Sequence, residues 1–153
     1  MVIASPNIVS NKSDMSWSNG NCEILITEHP TIKVALIVVY RPGGPNYELD
    51  KFAEVLGTAR KYLNSIKDDD RFENVILAGD FNFRKEHVTW DHSANGLVPH
   101  YEQGTCKNKR GVSLLLDLAE EFDLEQLVGK NTRKNQLLDL VFSSRAAWIT
   151  VSN

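Results

Sequence analysis

Cysteine is scarce in this 153-residue chain, with only Cys22 and Cys106, far apart. That spacing matches neither a zinc motif nor the dense framework of a small secreted domain. Both therefore read as free thiols of a reducing compartment, packed as small hydrophobes. Positive charge is not in excess either: 17 Lys and Arg face 20 Asp and Glu, a formal charge of -3. No overall basic field draws such a chain to nucleic acid or to an anionic membrane, so any nucleic-acid contact has to be local. Long apolar runs are missing as well. The longest, Val34 to Tyr40, falls far short of a membrane span. The opening Met-Val-Ile-Ala-Ser-Pro lacks the basic and apolar regions of a signal peptide. These absences lead to the expectation of a soluble intracellular protein, compatible with the nucleus, that has no membrane partner. No internal repeat is visible.

What is present is enough apolar material for one core, at 42% of residues. Residues 1 to 21 are rich in Asn and Ser and predict a flexible polar lead-in, leaving 22 to 153 as the folded domain. Glu23 to Thr27 and Ile32 to Tyr40 are β-rich runs separated by Glu28-His29-Pro30-Thr31, a hairpin pattern whose second member is apolar enough for a central strand. Arg41 to Asn46 carries every loop signal. Leu49, Phe52, Leu56, Ala59, Leu63 and Ile66 then recur at helical spacing.

A short apolar strand follows, Val75-Ile76-Leu77-Ala78, and Gly79 leads it into a crowded turn bearing Asp80, Phe81 and Asn82. Alternation directs Asp80 and Asn82 to one side and Phe81 to the other, into the core. A carboxylate that can activate water beside an amide that can hold a phosphoryl oxygen is equipment for phosphodiester hydrolysis. The same residues are common turn formers, so the motif alone leaves a plain turn open.

Residues 84 to 110 show no sustained period and read as a long functional loop. A second helix spans Val112 to Phe122, followed by strands at Leu124 to Val128, Leu137 to Ser143 and Trp148 to Val151. The alternation of strands and helices sets the fold class as α/β, with helices covering sheet faces.

Asp139 interrupts an apolar strand. Either it faces solvent at an edge, or it orients a histidine or a cation in a site. Tyr40 and Arg41 end their strand as Asp80 ends its own, so parallel strands would bring them to one rim, where Tyr40 can donate to a phosphate and Arg41 can grip it. A core tyrosine and a solvated arginine are the plainer alternatives. His87, His92 and His100 match no zinc spacing. Lys107, Lys109 and Arg110, with Lys130, Arg133 and Lys134, form two small basic clusters.

Four pieces in order, Val39-Tyr40-Arg41-Pro42, Leu77 to Asn82, Asn131-Thr132-Arg133 and Leu138 to Phe142, resemble the endonuclease/exonuclease/phosphatase superfamily. The pattern, with Trp90 and a helix from Gly111 to Phe122 in matching places, is most similar to the endonuclease domains of non-LTR retrotransposons. The resemblance implies a partial four-layer α/β sandwich over 22 to 153 and Mg2+-dependent nicking of DNA. It casts Asp80 as the residue that activates water, Asn82 as stabilising the phosphoryl group, Tyr40 as contacting the phosphate, and Asp139 as orienting a histidine. Thr132 would lie along the DNA backbone, with Arg41 and Arg133 as further substrate contacts. The family's upstream catalytic Asn and metal-binding Glu have no counterpart, since Glu23 falls elsewhere, and the C-terminal Ser-Asp-His is not found. A fragment of the nuclease domain is therefore expected, with exposed sheet surface that favours self-association. Two other readings follow from the same pieces: a non-catalytic remnant that binds nucleic acid or a protein, and a phosphatase of the superfamily.

Overall fold

A computed structural model describes residues 15–19, 21–44, 48–93, 96–103 and 107–149. Two periods meet at its centre: β3 (Val34–Tyr40) alternates half-buried and buried residues up to an exposed Tyr40, whereas α1 (Leu49–Ile66) buries Phe52, Val55, Leu56, Ala59, Leu63 and Ile66 along one stripe. That stripe lies against the sheet, and α1 carries the chain from β3 to the parallel strand β4 (Asn74–Asp80). β2 (Glu23–His29) precedes β3 as its antiparallel partner, joined through a 3-10 turn at Pro30–Ile32 and left-handed Lys33 (φ 53°). The hairpin, central strand and first helix are thus as their sequence patterns predict.

The sheet has six strands, in the order β1, β2, β3, β4, β8, β7, where β1 is Met15–Ser18, β7 Glu125–Gln126 and β8 Asp139–Ser143. β8 runs antiparallel to β4. α2 (Lys107–Glu121) packs beside α1 on the same face of the sheet, with Arg60 donating to Glu121 at 2.7 Å across the pair. Between helices and sheet lies the core: Ile24, Ile26, Ile37, Val39, Leu77, Leu140 and Phe142 from the strands meet Phe52, Leu63, Leu115 and Leu118 from the helices. Each such side chain, fully buried, contributes roughly 1.5–3 kcal/mol. The opposite face is less covered, with Leu36, Val38, Ile76 and Val141 half-buried and Leu25 and Tyr40 exposed. The described residues therefore form a mixed α/β unit of one helical layer on one sheet. No helix among them is long and apolar enough to cross a membrane.

Several expectations are corrected. Met15–Ser18, placed by the sequence in a flexible lead-in, is a strand paired with β2 from Met15↔Ile26 to Ser18↔Glu23. Its turn is made by the very asparagines that suggested disorder: Asn19 Oδ1 accepts from the Cys22 N–H at 3.0 Å, and Asn19 Nδ2 donates to the Lys51 carbonyl of α1. Residues 1–14 lie outside the described residues. The long loop contains a hairpin, β5 (Thr89–Ser93) with β6 (Gly96–His100), and α2 begins at Lys107 rather than Val112. Both hairpin strands are mostly exposed or half-buried, so no apolar alternation marks them, and Trp90 anchors them by packing edge-on to Phe142 at 6.1 Å. The strand expected at Leu137 starts at Asp139, and the one at Leu124 to Val128 shrinks to two residues. Of the final expected strand, Trp148 to Val151, Trp148 closes a 3-10 turn (Ala146–Trp148), and residues 150–153 lie outside the described residues.

Candidate active site at three strand tips

β3 and β4 both end at the same rim, and β8 begins there. The register places Tyr40 directly opposite Asp80, and Asp80 directly opposite Asp139. Cross-strand partners share a face, and neighbouring strands are about 4.8 Å apart, so the phenol and two carboxylates form one row spanning roughly 10 Å. The row faces away from the helices, since Ile37, Val39 and Leu77 take the alternate, core-facing positions. Tyr40 and Asp139 are exposed, and Asp80 is half-buried between them.

Close packing makes the tip. A Cβ on Gly79 would fall 1.8 Å from the Val39 carbonyl oxygen, so only glycine lets β4 approach β3 there. Phe81 is fully buried in an aromatic group with Phe52, Phe83 and Phe142, stacked on Phe83 at 6.4 Å and edge-on to the other two. That anchor holds the turn while Asp80 stays at the surface, as alternation predicts. Asn82 adopts the left-handed conformation at φ 50°, which asparagine tolerates better than most residues.

Burial, and then the charge of Asp139, raises the proton affinity of Asp80. Hydrogen bonds from the Asn82 backbone and side chain and the positive charge of Arg133 oppose that rise. The Asn82 N–H donates to Asp80 Oδ1 at 3.1 Å, and Asn82 Nδ2 donates to the Arg41 carbonyl at 2.8 Å. Asn82 is thus already engaged, bracing Asp80 and joining β3 to β4. To hold a phosphoryl oxygen its amide would have to exchange one of these bonds.

Arg41 departs from expectation most. Its side chain is 1% exposed, donates to the Phe81 carbonyl at 2.6 Å and to Asn108 Oδ1 of α2, and lies 4.3 Å over the Phe83 ring. A guanidinium so enclosed is not presented at the rim beside Tyr40; it ties the Asp80 turn to the first turn of α2. The preference of Arg for flat stacking and forked bonding explains the choice of residue.

Thr132 and Arg133 sit in a tight turn closed by the Arg133–Gln136 bridge, with Lys134 left-handed at φ 52°. Thr132 Oγ1 accepts from the N–H groups of both Leu138 and Asp139 at 3.1 Å, so the threonine sets the start of β8. Arg133 is exposed and close enough to Asp80 to favour its ionised form. Tyr40, Asp80, Asn82, Asp139, Thr132 and Arg133 therefore meet, and Arg41 lies beneath them.

The reading from sequence passed over two residues. Glu23 is opposite Tyr40 and extends the row by a fourth strand; the hairpin register could have indicated it. Asn108, the partner of Arg41, carries no local signal. Two of the three loop histidines gather elsewhere, and His92 lies by itself against Gly129. His87 and His100 line a polar pocket with Lys85, Glu86, Glu102 and Lys109 that includes none of the strand-tip residues. There His87 Nδ1 accepts from the Arg84 N–H, His100 pairs with Asp91 at 3.3 Å, and Lys109 bonds Glu102 at 2.9 Å. Among the described residues no group of three or more His, Cys, Asp or Glu side chains is arranged to hold a metal ion. Asp80 and Asp139 adjoin as two carboxylate oxygen donors, the ligand type that a hard divalent cation takes.

Comparison with protein-family models and with curated proteins returns no match to this chain. Fold and site together define a mixed α/β domain with an acidic, strand-tip rim.

Proposed function

We infer that this rim is a phosphodiester-hydrolysing site of the endonuclease/exonuclease/phosphatase type, acting on DNA. The observation that supports the reading best is the single row of Tyr40, Asp80 and Asp139 across three adjacent strands. Asp80, its proton affinity raised by burial, takes the proton of an attacking water. Tyr40 donates its phenolic hydrogen to the phosphate, and the Asn82 amide is within the same rim to receive a phosphoryl oxygen. Arg133, with Lys130 and Lys134 in the same turn region, supplies local positive charge for the DNA backbone that the acidic chain lacks overall. Asp139, exposed at the end of the row, would hold Mg2+, which when bound would neutralise charge on the phosphoryl oxygens, leaving Asp80 as the base. The test is nicking of supercoiled plasmid in Mg2+ by the chain and by Asp80→Ala and Asn82→Ala. Each substitution should lower the rate by about 100-fold or more. Nicking untouched by both changes would exclude this site. Phosphomonoester and phosphoinositide substrates in the same assay separate a phosphatase from a nuclease.

The half-covered sheet face, with Leu25, Leu36, Val38, Ile76 and Val141, favours a second reading. It is where the further layers of a four-layer sandwich would pack, and in a non-catalytic remnant it would instead receive a partner. An apolar dye that fails to bind the isolated chain would count against an accessible face.

A further inference from the structure

A second concave site lies apart from the strand tips. The turn that follows Phe83, the open end of the β5–β6 hairpin and the first turn of α2 bound a cleft of about 480 Å3. That volume suits a small ligand. The carboxylates around it are all matched: Glu86 faces Arg84 at 3.8 Å, Glu102 accepts from Lys109 at 2.9 Å, and Asp91 pairs with the lining His100 at 3.3 Å. The donors are not. Among the described residues no hydrogen bond or ion pair engages the Lys85 ammonium, and none engages the hydroxyls of Thr89 and Tyr101. His87 Nδ1 accepts from the Arg84 N–H at 3.1 Å, so the neutral ring carries its hydrogen on Nε2, and that N–H has no partner either.

The geometry points to this cleft as a binding site for a phosphate group, free or carried by a small ester. The uncommitted donors decide the ligand class: an ammonium, an imidazole N–H and two hydroxyls call for a partner rich in acceptors, and a phosphate offers more oxygens, and more charge, than a carboxylate. The surrounding field agrees. The first turn of α2, which contributes Lys109 to the cleft, also holds Lys107 and Arg110 and has no acidic residue, although the positive end of the helix dipole already lies there. Cations gathered at that end repel it in the free chain and are offset once an anion enters. His87 senses the same charge: burial lowers its proton affinity, Glu86 opposes that, and Arg41, Arg84 and Lys109 lower it further. A phosphate fills only part of the cleft, so the remaining atoms of a small ester fit beside it.

The test titrates the full chain with inorganic phosphate and with adenosine monophosphate, using acetate at equal ionic strength as the control, and follows the His87 imidazole by heteronuclear NMR. Phosphate should shift the His87 signals along a saturable curve with a dissociation constant on the order of 1 mM, and should move the titration of the ring to higher pH, since a nearby anion favours the charged imidazole. Acetate should do neither. Lys85→Gln, at an exposed position, should weaken binding by about tenfold, and Tyr101→Phe by about threefold, with the far-ultraviolet circular dichroism unchanged. Asp80→Ala, at the rim, should leave it as it is, which separates this cleft from the hydrolytic site inferred above. Tighter binding of adenosine monophosphate than of inorganic phosphate identifies an ester as the occupant, the reverse identifies the free ion, and either supports the assignment. His87 signals that do not saturate, an equal response to acetate, binding that Lys85→Gln and Tyr101→Phe both leave intact, or binding lost in Asp80→Ala would each overturn it.

Discussion

Replacing Arg41 by methionine tests whether the strand tips depend on what lies beneath them. The guanidinium is the largest of the fully buried side chains, and it donates to the Phe81 carbonyl at 2.6 Å and to Asn108 Oδ1. A hydrogen bond to a charged group is worth about 1.5–3 kcal/mol, and a desolvated cation over an aromatic face adds roughly 1–2 kcal/mol. Against this stands the cost of keeping the charge out of water, which methionine removes, so the terms do not simply add. The change should destabilise the fold by about 3 kcal/mol, mainly because the buried Phe81 carbonyl and the half-buried Asn108 Oδ1 lose their donor, and should lower the melting temperature by roughly 6–12 °C. Arg41→Lys keeps the charge but reaches both acceptors poorly and should lose about half as much. Urea unfolding followed by circular dichroism measures both. Asn108→Ala completes a double-mutant cycle, in which a coupling of about 1–2 kcal/mol is expected. Stability of Arg41→Met within about 0.5 kcal/mol of the unmodified chain would refute the structural role, since changes of that size are typical of unconstrained surface sites.

Gly79→Ala forces a methyl group to within 1.8 Å of the Val39 carbonyl oxygen, so β3 and β4 must part; a loss of about 3 kcal/mol or more is expected in the same assay. Thr132→Val removes the acceptor of the Leu138 and Asp139 N–H groups and should cost about 1–2 kcal/mol, with the amide signals of those two residues moving most in a heteronuclear NMR spectrum. Asp139→Asn deletes the negative charge facing Asp80, so the Asp80 carboxyl should titrate at lower pH in metal-free solution; a carbon-detected NMR titration in which it stays put would contradict the shared row. Burial pushes the Cys22 thiol up from 9.0 to about 11. The unfolded chain therefore releases this proton first, so stability should fall by roughly 2 kcal/mol as pH rises from 9 to 11, and Cys22→Ala should be spared that loss.

Where burial imposed a period, the chain could be read residue by residue. The stripe from Phe52 to Ile66 named the buried face of α1, and the apolar runs at Val34 and Val75 named the two strands whose parallel pairing brings Tyr40 to Asp80. Phe81 declared its inward direction by alternation alone. Polar segments could not be read in this way, because their order comes from contacts distant in sequence. Asn19 is a turn former only because Cys22 and Lys51 are there to receive it. The β5–β6 hairpin sends Trp90 against Phe142 and lays β6 beside β7, both distant in sequence.

The same distinction separates what was legible in the site from what was not. Tyr40, Asp80 and Asp139 sit at strand ends, so their convergence follows from strand order, and strand order is a consequence of which runs are apolar. Arg41 follows Tyr40 and was expected to project from the rim beside it. The chain leaves the sheet at that point, however, and the next side chain turns inward to an acceptor on the Asp80 turn and another on a helix 67 residues away in sequence. Nothing local distinguishes an arginine that reaches for a phosphate from one that reaches for a carbonyl, since both partners suit the same planar fork. The choice is made by enclosure. Phe52 and Phe83 lie 5.8 and 4.3 Å from the guanidinium, and with the residue 1% exposed a phosphate could reach it only by displacing groups already packed on it. The rim is left with Arg133 as the cation beside Asp80, and if the row binds phosphate, Arg133→Gln should weaken that binding while leaving the fold's stability nearly unchanged, the reverse of what Arg41→Met should do.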